Sequence, residues 1–410
     1  MAKTIVIVGT LDTKGEEIKY VKELIEAKGH RAIVIDTGVL EEPPFPPDFS
    51  HYQVAEAGGG DLKEIATQRD EGKALAVMSA GAVKIAMQLH SDGRLDGIIA
   101  LGGSMGTSLG LSVMRALPLG VPKLMVSTVA FTPFVAPEDV SADQVVFQCV
   151  VDFSGLDRWT KMTIERAALA IVAMAETYAR EVPSEKPVVG MTTLGTAPCR
   201  YVWHAKRFLE QRGYEVAVFH SNGIGGRTFE RLIEEGLIAG SLDLCTHELI
   251  GNLYGAGCDA GPNRLEAAGK MGIPQVVAPG VLGILSWPGP PETLPPRFRN
   301  RKLHMHNPRD TVPPLNAEEM AELAEVMARK LNRATGPSAV LIPTQGFFEA
   351  DKPDGIFHMP EERKAFTERL KKQIEPKVRV IEVDLHLNDP EFAEQAVAIL
   401  DDMMRGEYKA

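Results

Sequence analysis

The sequence predicts an α/β protein built from two parallel-sheet domains related by an internal repeat, and three observations carry that prediction. Short Val- and Ile-rich runs without strict alternation are separated by stretches of helical periodicity, as strands covered on both faces require. A strand–helix–strand pattern near the amino terminus returns 184 residues later. The 410 residues, at about 150 per domain, are enough for two or three buried cores.

Thr4 to Val8 is a β-branched run ending at Gly9; Ile18, Val21, Leu24 and Ile25 then recur at helical spacing, and Gly29 precedes a second strand over 32–36. In the second half Val188 to Met191, a helix through Lys206 and Glu210, Gly213 and Val216 to Phe219 repeat this unit. Lys22, Glu26, Gly29 and Val34 meet identical residues at Lys206, Glu210, Gly213 and Val218. Gly120-Val121-Pro122 and Gly272-Ile273-Pro274 form a second matched pair, displaced by 152 residues, because the first half is longer between its second strand and Asp96. That insertion holds the loop Pro43-Pro44-Phe45-Pro46-Pro47 and an expected extra strand at Leu75 to Ser79. The further strands are expected near 97–101, 123–127, 187–192, 215–219, 242–246, 275–278, 338–342 and 378–383, with helices over 161–179 and 390–404. The domains are then 1–182 and 187–410, joined through Val182-Pro183-Ser184-Glu185-Lys186-Pro187, and the second carries a long proline-rich loop over 287–314.

Asp plus Glu is 55 against 44 Lys plus Arg, a formal charge of −11 that argues against non-specific nucleic-acid binding. No apolar stretch approaches the roughly 20 residues that cross a bilayer, and Met1-Ala2-Lys3 enters a strand without a signal-like segment, so no membrane partner and a cytoplasmic location are expected. Cys149, Cys199, Cys245 and Cys258 lack metal or disulfide spacing and read as free thiols.

Ligands of open α/β sheets sit beyond the carboxyl ends of the strands. In the first half, Gly9-Thr10-Leu11-Asp12-Thr13-Lys14-Gly15 can present backbone N–H groups and a cation to a phosphate, or can be a capped helix start. Asp36 closes the second strand, where a carboxylate often meets ribose hydroxyls. Gly102-Gly103-Ser104-Met105-Gly106-Thr107 combines glycines, hydroxyls and a helix start, and is the best anion site in the chain. Ser79 to Ala82, Ser127 and Thr128 are expected to line the same crevice.

In the second half, His220 to Thr228 forms another glycine-rich helix start with a histidine at its edge, Thr246-His247-Glu248 ends a strand, and Gly261-Pro262-Asn263-Arg264 precedes a helix. One reading makes this an enzyme site for a small carboxylated or phosphorylated metabolite, a hydrolase or lyase. His220 is then the acid/base, Glu248 orients it, and Arg264 with the Gly223, Gly225 and Gly226 loop holds the carboxylate. The bland alternative is a set of structural hydrogen bonders. In the long loop, His304 and His306 share a strand face, but no acidic or Cys ligand lies at metal spacing, so no metal site is assigned. His306 is assigned to a substrate-side wall, against a dimer contact as the competitor.

These motifs in order, from Gly9–Gly15 through His220–Gly226 and Gly261-Pro262-Asn263-Arg264-Leu265-Glu266-Ala267-Ala268 to His306-Asn307-Pro308, resemble the family of the ATP-binding N-terminal domain of the tomato mosaic virus resistance protein, over essentially the whole chain. The resemblance implies two Rossmann-like domains, ATP with Mg²⁺ in the first, a small-molecule ligand and a homodimer. Its nucleotide contacts fall on Gly9, Thr10, Asp12, Asp36, Gly102, Gly103, Ser104, Gly106, Thr107 and Thr128. Met105 departs from the smaller residue usual after the serine and narrows the phosphate cradle.

Overall fold

The computed structural model describes residues 2–68, 70–179 and 185–408, so Val182, Pro183 and Ser184 of the expected join lie outside the described residues. The chain divides into two compact units, Met1–Val182 and Pro183–Ala410.

The first unit runs β1 (Thr4–Gly9), α1 (Leu11–Ala27), β2 (Arg31–Asp36), α2 (His51–Ala57), α3 (Leu62–Gln68), α4 (Glu71–Ser91), β3 (Gly97–Gly102), α5 (Ser104–Ala116), β4 (Lys123–Ser127), β5 (Gln144–Gln148) and α6 (Arg158–Thr177). Its five strands are all parallel, in the order β2-β1-β3-β4-β5. Alternate residues of β1 serve two cores. Ile5 and Ile7 pack with α1 and α6, while Val6 and Val8 pack with α2, α4 and α5. That double burial is why the run reads as continuously apolar.

The second unit runs β6 (Val188–Thr193), α7 (Tyr201–Gln211), β7 (Glu215–His220), α8 (Ile224–Glu234), β8 (Gly240–Cys245), α9 (Glu248–Tyr254), α10 (Ala267–Met271), β9 (Gln275–Gly280), α11 (Pro296–Arg299), β10 (His304–Asn307), β11 (Asp310–Val312), α12 (Ala317–Leu331), β12 (Ser338–Pro343), α13 (Pro360–Gln373), β13 (Val378–Val383) and α14 (Pro390–Met404). Its parallel sheet has the order β7-β6-β8-β9-β12-β13. Counted within each unit, both sheets follow 2-1-3-4-5, the second adding one strand, so the repeat read from residues is a repeat of topology. The register repeats as well: Gly9 stands opposite Asp36, and Thr193 opposite His220. The last strand and helix belong to the second unit, with β13 on β12 and α14 against α7 and β8.

One expectation is corrected. Leu75 to Ser79 is not a strand but part of α4, which Asp70 starts by accepting from the N–H of Lys73. A short apolar run does not distinguish strand from helix. Here burial of Ala74, Met78, Ala82, Ile85 and Leu89 follows the helical repeat, and Gly81 lets α4 touch α2, since a Cβ there would sit 1.8 Å from the Val54 carbonyl oxygen. The fifth strand is instead β5, an edge strand the periodicity does not single out. The proline-rich loop over 287–314 contains α11 and the antiparallel β10–β11 hairpin, and Trp287 exchanges backbone hydrogen bonds with Thr311.

Candidate functional site

In each unit the strand order reverses beside the first strand, between β1 and β3 and between β6 and β8, and there loops diverge to open a crevice. The two crevices are built differently.

In the first unit a cavity of about 350 Å³ opens at this point. Its lining is partly polar, from Thr10, Asp12, Thr13, Lys14 and the Gly102–Gly106 turn, and partly apolar, from Val39, Leu40, Leu75, Met78 and Leu109. Glu71, Ala74, Leu75 and Met78 are one helical stripe of α4, and mistaking that helix for a strand hides this wall from the sequence. Ser79 to Ala82 lie within the same helix rather than in a loop, and none of them lines the cavity.

The turn into α5 is tight, since a Cβ on Gly102 would stand 2.6 Å from the Gly106 Cα. Gly103 is the N-cap of α5 and supplies no side-chain cap, so the amides of the first turn have no side-chain partner. Nothing lies closer than 3.8 Å to where a Gly103 Cβ would stand, the neighbour being the Thr128 hydroxyl. Thr107 faces inward, its hydroxyl 2.7 Å from that of Ser127. Opposite, the Thr10 and Thr13 hydroxyls are 2.7 Å apart, and Lys14 Nζ donates to the Phe153 carbonyl at 2.5 Å.

Asp12 and Asp36 hold the wall together. Asp12 Oδ2 accepts from the N–H of Val39 (3.0 Å) and Leu40 (2.8 Å), and Asp36 Oδ1 accepts from Leu11 (3.0 Å) and Gly38 (2.9 Å). Asp36 is fully buried, and burial raises its pKa against the opposing pull of those two amides and His51. Thus Thr10, Asp12, Gly102, Gly103, Ser104 and Gly106 line the cavity, whereas Gly9, Asp36, Thr107 and Thr128 do not. Thr37, Glu71 and the α4 stripe are lining residues the sequence reading missed; their signal, a period-3.6 pattern starting at an Asp N-cap, was present.

The second crevice is filled by the protein itself. Glu248 Oε1 accepts from the N–H of Gly223 (2.7 Å) and Gly226 (3.0 Å) at the start of α8, and its Oε2 accepts from Arg264 Nε (2.6 Å). Arg264 is fully buried; its remaining nitrogens reach Asp243 at 2.5 and 2.8 Å and Glu230 at 3.1 Å. Glu230 in turn accepts from the amides of Leu265, Glu266 and Ala267, which begin α10. The glycines here answer to the chain: a Gly225 Cβ would be 1.9 Å from the His220 carbonyl oxygen, and a Gly226 Cβ 2.0 Å from Glu248 Oε2. The guanidinium expected to hold a substrate and the carboxylate expected to orient His220 are therefore engaged with internal partners, and neither is exposed.

His220 is exposed at the end of β7. The buried histidine is His247, whose Nδ1 donates to the Val281 carbonyl (3.0 Å), leaving Nε2 without a partner; burial pushes its pKa down to about 4. His306 lies on the exposed β10 strand. Among the described residues, no group of three or more His, Cys, Asp or Glu side chains is placed to hold a metal ion, and no helix is long and apolar enough to cross a membrane.

Comparison with known proteins matches the N-terminal domain of an uncharacterised protein family, UPF0261, to residues 3–180 and its C-terminal domain to residues 186–404. A UPF0261 protein of Clostridium tetani is 42% identical over 98% of this chain and all of its own length. One from Brucella suis is 37% identical over 97% of this chain and 94% of its own. The ToMV susceptible protein tm-1(GCR26) of Solanum lycopersicum is 31% identical over 95% of this chain and 54% of its own length.

Proposed function

The chain belongs to the UPF0261 family, and for this member we propose an ATP-binding function seated in the first unit. One observation carries the reading: an α5 start with no side-chain cap borders a cavity that is also lined by apolar side chains. A helix start offers N–H donors and a partial positive charge to a phosphate. The apolar wall of Leu75, Met78, Val39 and Leu40 suits a nucleobase. Ser104 adds a hydroxyl donor beside the phosphates, and Thr10 with Thr13 closes the opposite side.

Mg²⁺ fits this arrangement as a companion of the phosphates, because Mg²⁺ is commonly held by phosphate oxygens, water and one or two carboxylates. Of the two carboxylates lining the cavity, Asp12 is held by the loop amides of Val39 and Leu40, which leaves Glu71, phosphate oxygens and water to hold Mg²⁺. The second unit is read as a scaffold at its switch point, since Glu248 and Arg264 already satisfy one another there. His220 is exposed while Glu248 and Arg264 hold each other in the interior, which favours internal support over an acid/base set. The homodimer implied by the family resemblance is a separate proposal, read out by sedimentation equilibrium.

Calorimetric titration with ATP, with and without Mg²⁺, tests the reading. Saturable, Mg²⁺-enhanced binding is expected, and it is expected to disappear in Leu75→Trp, which puts a bulky ring into the cavity from its apolar lining. Absence of heat at millimolar ATP, or binding unchanged in Leu75→Trp, would reject it.

A further inference from the structure

Beneath the first-unit cavity several buried polar atoms have no partner: Asp12 Oδ1, Asp36 Oδ2, Thr37 Oγ1 and both ring nitrogens of His51. They gather at the carboxyl ends of β1 and β2 and the start of α2. Two of them face each other, His51 Nδ1 standing 3.7 Å from Asp36 Oδ2, and His51 Nε2 stands 3.7 Å from Glu42. Asp12 Oδ1 and Thr37 Oγ1 remain, and both residues line the cavity. Thr37 is only 3% exposed. Asp12 is held rigidly, because its other oxygen takes two loop amides and Gly38 packs against the carboxylate, where a Cβ would come within 2.7 Å of its carbon.

We propose that Asp12 and Thr37 form a subsite for the vicinal hydroxyls of a sugar, the ribose of the nucleotide; the inference rests on the ATP reading. A carboxylate oxygen accepts only, and a threonine hydroxyl can both accept and donate, so the pair is complementary to a diol, which brings two O–H donors and acceptor lone pairs. A buried acceptor left without a donor is a standing cost that such a ligand removes. Strand spacing decides against a phosphate-bound cation. Thr37 follows β2 and the phosphate cradle follows β3, with β1 between, so the two lie roughly 10 Å apart at about 4.8 Å per strand. One Mg²⁺ ligated at about 2.1 Å does not bridge that gap, whereas a nucleotide extends from sugar to terminal phosphate. The expected ribose carboxylate thereby moves from Asp36, which does not line the cavity, to Asp12.

ATP, 2′-deoxyATP and 3′-deoxyATP are titrated with Mg²⁺ into the full chain, Thr37→Val and Asp12→Asn. The wild type is expected to bind ATP at least about tenfold more tightly than one deoxy analogue, the scale of one hydrogen bond to a charged group. In each variant that ratio falls to within about twofold. Without ligand, Thr37→Val melts no lower than the wild type, because the hydroxyl it removes has no partner. Equal binding of all three nucleotides by the wild type, or an unchanged ratio in both variants, overturns the subsite while leaving ATP binding in place. An unchanged ratio with Mg²⁺ dependence lost would assign the two oxygens to a cation and likewise overturn it. Failure of the wild type to bind any of the three removes the reading beneath it.

Discussion

Two glycine-rich loops start helices beside the two switch points, and they have opposite fates. At Gly102–Gly106 the helix start faces a cavity and lacks a side-chain cap. At Gly223–Gly226 the same kind of start is closed by Glu248, which lies 25 and 22 residues further along the chain, and Glu248 is itself held by buried Arg264. Glycine reports that something approaches the backbone closely; it does not report whether that something is a ligand or the protein's own carboxylate. The difference shows how one α/β unit can keep an anion site open while its repeat turns the equivalent chemistry into internal support.

The strongest way to break the comparison is Arg264→Met. It leaves Glu230, Asp243 and Glu248 in the interior without their shared cation, so a loss of about 3–5 kcal/mol from the second unit is expected in urea denaturation. A loss below about 1 kcal/mol would mean that water reaches the network and that the second crevice is open after all.

Next in size is acid sensitivity near the same crevice. His247 has a pKa of about 4 in the folded chain, against 6.5 for the free side chain. Between those values the unfolded chain takes up a proton that the folded chain refuses, so stability falls as pH drops from about 6.5 to about 4 and levels off below. The 2.5-unit difference corresponds to about 3 kcal/mol. Glu230, whose pKa burial raises, acts in the opposite sense by taking its proton first in the folded state. Stability measured against pH for the wild type and His247→Gln isolates the histidine; parallel curves across this window would rule out a buried neutral His247.

Much of the architecture was legible because it follows from local chemistry. Ile5 and Val6 point to opposite cores, so β1 had to read as unbroken apolar sequence, and Lys22, Glu26, Gly29 and Val34 recur because the same strand–helix–strand unit recurs. Leu75 to Ser79 failed because five apolar or small residues fit either period, and the deciding features, the Asp70 cap and the Gly81 contact with Val54, depend on longer context. The site was half legible. Loop positions after strands bring Thr10, Asp12 and Gly103 to one cavity. The internal partners of Asp36 and Arg264, the Leu11 amide for one and Asp243, Glu230 and Glu248 for the other, are tertiary neighbours that no spacing rule reveals.

A smaller effect sharpens the contrast at the glycines themselves. Gly223 has φ +99°, and a Cβ there would meet the Asp259 carbonyl oxygen at 2.7 Å, so Gly223→Ala is expected to cost about 1–3 kcal/mol. Gly103 has φ −76° and open space around it, so Gly103→Ala should fall within about 0.5 kcal/mol of the wild type. Equal costs in thermal unfolding would erase the distinction between a glycine required by the fold and one that leaves room for a ligand.

The last and smallest change in stability makes the first loop imitate the second. Gly103 occupies the N-cap of α5 with extended backbone, a position where Asp accepts from the amides of the first turn at little conformational cost. Gly103→Asp should therefore raise stability by a few tenths of a kcal/mol, as the N-cap preference of Asp over Gly suggests. The same carboxylate takes the amides offered to a phosphate and repels its charge, as Glu248 does at α8. Calorimetry should then show ATP affinity reduced at least about tenfold in a protein that melts no lower than the wild type. A stabilised variant that still binds ATP normally would show that the phosphates sit elsewhere in the cavity, and the open helix start would lose its meaning as a site.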